Sequence, residues 1–200
     1  MPDGPARMGP GASQGGPRTG GQSMPAMKYE ELAKFSNAEL EKIFAQGLQP
    51  DPEVLAGWEF RGYNTPAFAR LLGVQKFIKG MFRDAEGRVE GYNVSAKQNG
   101  LAGPWEYKAQ SPKRFGFYDV YRVRGGDRDN KHPNATLLNY GTSKRNSIVD
   151  PWMLRDYVVQ PFGENKDLFL GNAYLRFGPV CFPSNFFLIE RLRKTDWKMD

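Results

Sequence analysis

The sequence predicts a mostly all-β domain: an antiparallel β-barrel of eight or nine strands, with helices on its N-terminal side. Three observations carry that prediction. Short segments rich in Val, Tyr and Phe succeed one another from Trp58 to Leu192, with one brief helical period among them. Between them stand Gly103-Pro104, Ser111-Pro112, Gly125-Gly126, Asp150-Pro151 and Gly178-Pro179, the punctuation of short connections. Several segments also alternate between a clean apolar face and a mixed one, as the wall of a closed barrel does.

Taken in order, residues 1–24 hold seven glycines and four prolines with no aromatic residue. Such a stretch buries too little to offset its ordering entropy, so it reads as a disordered tail before one barrel domain over 25–200. A helix is predicted over 28–48, with a separate short helix over its upstream piece, Tyr29 to Phe35, as the open alternative. Ser36 and Glu39 form its capping box, Leu40, Ile43 and Phe44 its apolar face, and Gly47 its stop. A second helix is predicted over 66–72, with Thr65 as cap and Pro66 in its first turn. Strands are predicted over 58–63, 77–83, 89–95, 105–110, 115–124, 135–140, 153–159, 168–177 and 185–192. Along 115–124 one face carries Phe115, Phe117, Asp119, Tyr121 and Val123; the other carries Tyr118, Val120, Arg122 and Arg124.

Composition removes many chemistries. One cysteine, Cys181, excludes an intramolecular disulfide and a cysteine zinc cluster; one histidine, His132, excludes a two-histidine metal site. No metal and no cofactor is expected. No apolar run is long enough to cross a bilayer and no secretory leader is legible, which points to the cytoplasm. The net charge of +6 reads as a solvated basic face. Lys113, Arg114, Arg122, Arg124, Arg128, Lys131, Lys144 and Arg145 are interspersed with acids, and no nucleic-acid motif accompanies them.

His132, in Asp129-Asn130-Lys131-His132-Pro133, reads as an exposed turn histidine, with a haem ligand or general base as the sharper alternative. Cys181, between Val180 and Phe182, reads as a small buried hydrophobe. Asp119, Asp156 and Glu190 lie within strands near Arg122, Arg155 and Arg191, so ion pairs with those arginines are expected. The glycine-containing loops at 100–103 and 125–127 lack the strand-to-helix setting of a phosphate loop.

An N-terminal helix, Gly57-Trp58 opening the first strand, and Arg191 and Arg193 in the last strand together resemble the calycin superfamily of lipocalin-like barrels. The segments Leu154-Arg155-Asp156-Tyr157 and Leu170-Gly171-Asn172-Ala173-Tyr174-Leu175 are similar to stretches of bacterial lipocalin-like proteins. The adjacency of Gly57 and Trp58 departs from the lipocalin motif, in which one residue separates them. The resemblance implies barrel closure by Trp58 against Arg191 or Arg193, and binding of a small hydrophobic molecule such as a lipid, fatty acid or terpenoid.

The binding residues expected from the strand faces are Phe117, Asp119 and Tyr121, with Leu138 and Tyr140 on the neighbouring strand and Tyr174 beyond. Two other classes stay open. One is an enzyme using Asp119 and a tyrosine on a lipid-like substrate. The other is an interaction module whose barrel is filled by its own side chains. Four Trp, nine Tyr and fourteen Phe beside one His and one Cys favour holding a molecule over transforming one. The oligomeric state is left open.

Overall fold

A computed structural model describes residues 28–65, 73–148, 151–161 and 165–198. The tail predicted over 1–24 and the helix predicted over 66–72 lie outside the described residues.

Three short helices precede the sheet: α1 (Tyr29–Leu32), α2 (Asn37–Gln46) and α3 (Pro52–Leu55). The helical segment predicted over 28–48 is thus two helices, its upstream piece forming α1 by itself. The break falls at Ser36, whose N–H donates to Glu39 Oε2 at 2.8 Å while its Oγ accepts from the Glu39 N–H. A cap of this kind stabilises a helix by about 1 kcal/mol. The sequence reading missed α3, which Asp51 caps by accepting from the Glu53 N–H at 3.0 Å, with Pro52 in the first turn.

Among the described residues eight strands follow: β1 (Trp58–Asn64), β2 (Lys76–Arg83), β3 (Val89–Ser95), β4 (Arg114–Arg122), β5 (Thr136–Asn139), β6 (Leu154–Val159), β7 (Leu168–Phe177) and β8 (Val180–Lys194). Each pairs antiparallel with the next and β8 pairs with β1, closing an up-and-down barrel. The strand predicted over 105–110 is not in the wall. β3 and β4 already pair with each other, which leaves no edge for another strand, so in place of a ladder this segment has the isolated Ala96–Tyr107 bridge, flanked by backbone bonds from Lys97 N–H to the Glu106 carbonyl and from Lys108 N–H to the Ser95 carbonyl. It lies outside, with the Trp105 ring 5.8 Å from Tyr29 and its indole N–H donating to the Gly62 carbonyl at 3.2 Å.

Inside and outside are told apart by one contact. Lys79 on β2 reaches Asp156 on β6, four strands away, so that face points into the barrel. Phe60, Met81, Tyr118, Val120, Leu138, Val158, Phe169 and Ile189 share it as an inner core. Tyr29, Leu32, Leu40 and Phe44 of α1 and α2 join an outer core with Tyr63, Tyr157, Leu170 and Leu188. These two helices clad the side wall rather than capping an end. Only α3 sends a residue, Leu55, into the inner core.

The phase of β4 departs from strict alternation. Gly91 pairs with Tyr118 and Asn93 with Phe115, so two steps on β3 face three on β4. The extra residue is accommodated at Gly116, whose φ of 55° lies in the left-handed region that glycine enters without a Cβ clash. Its carbonyl accepts from Asn93 Nδ2 at 2.9 Å. Phe115 and Phe117 consequently face opposite sides of the wall, Phe115 lining the inner cavity and Phe117 joining the outer core.

Candidate functional site in the upper barrel

The two ends of the barrel differ. Around Leu55 the lower half is filled by Phe60, Met81, Val120, Leu138, Val158, Phe169 and Ile189. At that end the Arg191 guanidinium lies 4.9 Å from the Trp58 ring centre and donates to the Val54 carbonyl at 2.6 Å. Arg193 points to the outer side instead, where it bonds Glu59 at 2.8 Å and lies over Tyr107.

The upper half keeps a cavity of about 180 Å³. Phe77, Phe115 and Phe187 supply aromatic walls, Val74, Pro151 and Leu154 the aliphatic rim, and Asn64 and Asn185 two amides. Inward glycines let these rings lie flat on the wall. A Cβ on Gly171 would sit 2.0 Å from Phe187 Cζ, and one on Gly62 would sit 2.1 Å from Phe77 Cε2.

Lys79, Asp156, Tyr140 and Asn93 also line this cavity, and they are bonded to one another. The Lys79 ammonium donates to Asp156 Oδ2 at 2.9 Å, to the Tyr140 hydroxyl at 2.5 Å and to Asn93 Oδ1 at 3.1 Å. Tyr140 in turn donates to Asp156 Oδ2 at 3.2 Å and accepts from Asn93 Nδ2 at 3.1 Å. Lys79 is 3% exposed and Asp156 4%. The face of Tyr118 stands 4.8 Å from the ammonium, which it stabilises further. Burial lowers the Lys79 pKa, an effect that the Asp156 charge only partly offsets. Burial, reinforced by the same carboxylate, raises the Tyr140 hydroxyl well above the ordinary tyrosine value. The cluster thus sets an amine whose burial favours its neutral form beside a carboxylate and a phenol that stays protonated.

The expected binding residues fall on both sides of the wall. Tyr140 lines the cavity, and Leu138 faces inward in the packed half beneath it. Phe117, Tyr121 and Tyr174 belong to the outer core, and Asp119 pairs with Glu90 and Asn139 on the outer side. The inward assignment of the Phe117–Asp119–Tyr121 face is corrected: the bulge at Gly116 shifts the phase of β4, and Tyr118 and Val120 are the inward residues.

The ion pairs also differ from expectation. Asp156 pairs with Lys79 and Glu190 with Arg61, while Arg155 pairs with Asp129 at 3.0 Å and Arg122 with Asp51 at 2.8 Å. Neighbours along a strand point to opposite faces, so partners come from other strands and loops. His132 is not an exposed turn residue. Its Nε2 lies 2.9 Å from the Tyr174 hydroxyl and its ring packs 5.0 Å from both Phe44 and Tyr157. Burial lowers its pKa, as does Lys131. Cys181 is half-buried, and burial raises its thiol pKa, which disfavours the thiolate a nucleophile requires. Among the described residues no group of three or more His, Cys, Asp or Glu is placed to hold a metal. No described helix is long and apolar enough to cross a membrane.

Sequence reasoning missed Lys79, Asn93 and Phe187 as site residues. One signal was available: Lys79 stands alone among apolar and small residues in the run Phe77-Ile78-Lys79-Gly80-Met81-Phe82. No family model, no curated protein and no solved structure matches the chain.

Proposed function

We propose that the barrel binds one compact small molecule in its upper cavity. In this reading its polar group docks on Lys79, Tyr140 and Asn93, and its apolar body lies among Phe77, Phe115 and Phe187. The observation that carries the reading is a charged pair, Lys79–Asp156, kept from water on the lining of a cavity that the barrel does not fill itself. Buried ion pairs add little stability relative to apolar packing, so one beside an open cavity favours a binding or chemical role.

Size narrows the ligand. A cavity of about 150 Å³ accommodates benzene, so about 180 Å³ suits a single ring or a short branched chain with one polar substituent. This is the compact end of the hydrophobic ligand class suggested by the calycin resemblance. Membership of that superfamily is part of the proposal, supported by the closed eight-strand barrel and by Trp58 of the first strand lying against Arg191 of the last.

Amide NMR with benzyl alcohol and decanoate as probes tests the reading. Benzyl alcohol is expected to shift the signals of Lys79, Tyr140, Asp156 and Phe187, and decanoate to leave them in place. Decanoate binding without benzyl alcohol would overturn the size argument. Silence from both would overturn binding in this cavity.

A further inference from the structure

The protein buries two lysines in very different company. Lys76 donates to Asn99 Oδ1 at 2.5 Å and to the carbonyls of Gly100, Gly103 and Pro104 at 3.0, 2.8 and 3.1 Å, with its ammonium 3.7 Å from the Trp105 ring centre. None of these acceptors takes up a proton, and the arrangement ties the segment 99–104 to β2. Lys79 has a carboxylate and a phenol among its three acceptors, and it is the only lysine on the cavity lining among the described residues. One lysine is a staple. The other has what an amine needs to act as a nucleophile.

We propose that Lys79 forms an imine with the carbonyl carbon of a small aldehyde or ketone held in the upper cavity. The proposal rests on the binding reading above and deepens it by naming the ligand class. Proton transfer from the Lys79 ammonium to Asp156, across the existing 2.9 Å bond, gives a neutral amine and a neutral acid. In a site this dry, exchanging two charges for none removes a desolvation cost. The nitrogen lone pair attacks the carbonyl carbon, and the carbonyl π pair moves to oxygen, which takes the proton held by Asp156. The attacking nitrogen then returns a proton to that carboxylate, leaving a neutral carbinolamine. Asp156 next protonates the hydroxyl, water leaves, and the nitrogen lone pair closes the C=N bond. The result is an iminium cation paired with the Asp156 carboxylate, so charge is conserved and one water is released. No oxidant, reductant or metal is needed.

Tyr140 suits the remaining task. Its hydroxyl is within 3.2 Å of both Lys79 Nζ and Asp156 Oδ2 and keeps its proton, so it can donate a hydrogen bond to the oxygen on which charge develops. The groups facing Lys79 from other elements come from five separate segments: Asn93 from β3, Tyr118 from β4, Tyr140 just after β5, Asp156 from β6 and Phe187 from β8. None of them brings a second cation, and among the described residues no other lysine or arginine lines the cavity.

Reductive trapping tests this on the full chain, with benzaldehyde as the carbonyl probe, cyanoborohydride as the reductant and peptide mass mapping as the readout. The expected result is one benzyl group per chain on Lys79, formed well ahead of labelling at surface lysines and suppressed by excess benzyl alcohol. Asp156→Asn is expected to slow trapping by roughly 100-fold, the scale of general acid–base assistance, and to change its pH profile. Lys79→Met strands Asp156, so the paired variant K79M/D156N serves as the folded control, and it is expected to lose the Lys79 label. The benzyl alcohol protection arm needs no variant. Binding of benzyl alcohol in the cavity with Lys79 unlabelled would overturn the imine and leave the binding reading intact. Failure of benzyl alcohol to bind, with labels spread evenly over surface lysines, would overturn both.

Discussion

Lys79 and Asp156 lie on strands at opposite sides of the barrel, and their side chains meet at 2.9 Å in its interior. The pair bridges the inner layer and places two charged groups on the lining of the cavity above the packed half.

Removing either partner alone leaves a buried, uncompensated charge. Lys79→Met and Asp156→Asn are each expected to destabilise the fold by roughly 3–5 kcal/mol. The double variant K79M/D156N is expected to cost far less than the two single changes combined, because no charge is left behind. Urea unfolding of the four proteins checks this. Additive losses would mean that the two residues do not depend on each other.

Aromatic rings lie flat on inward glycines, and Gly171 beneath Phe187 is the tightest case, since a Cβ there would meet the ring at 2.0 Å. Gly171→Ala is therefore expected to cost about 1–3 kcal/mol or more through overpacking. Adding Phe187→Leu should recover part of that loss, since the obstructing ring is gone. Thermal unfolding of both variants reports it, and an unchanged midpoint for Gly171→Ala would show that Phe187 moves aside at little cost.

Burial raises the pKa of all nine tyrosines above the ordinary value of 10.0. In an unfolded chain they titrate near 10. Their contribution to stability is therefore complete below pH 10 and is lost as pH rises through the folded values. Tyrosinate absorbance and far-UV circular dichroism are expected to change together in an alkaline titration. Ionisation of most tyrosines near pH 10 with the fold intact would contradict their burial.

Leu154 sits on the rim of the cavity, while Asp119 lies on the outer side of the wall. Leu154→Trp is expected to fill the opening and abolish benzyl alcohol binding while the protein stays folded. Asp119→Asn is expected to leave that binding unchanged. Loss of binding in the second variant would place the ligand on the outer face.

Much of the wall was legible because β-strands announce themselves by period and punctuation. The segments at 58–63, 89–95 and 168–177 were predicted within a residue of β1, β3 and β7. The Ser36–Glu39 capping box was read directly, since a cap depends on residues three apart. The segment at 105–110 misled because its aromatic and alternating residues suit an outer cladding as well as a strand.

The site itself was less legible, and β4 shows why. One glycine in the left-handed region, Gly116, shifts the strand phase and exchanges the Phe117–Asp119–Tyr121 face for the Tyr118–Val120 face. Asp156 was noticed as a carboxylate, yet its partner is 77 residues away on β2, out of reach of any local rule.

By itself the sequence determined the class of the fold: antiparallel, mostly β and aromatic-rich. It did so because strand period, turn residues and helix caps are local properties. Only the tertiary structure decided which face is inside, which charges meet and how much space remains. Those depend on register, on one bulge and on strands that approach one another only when the barrel closes.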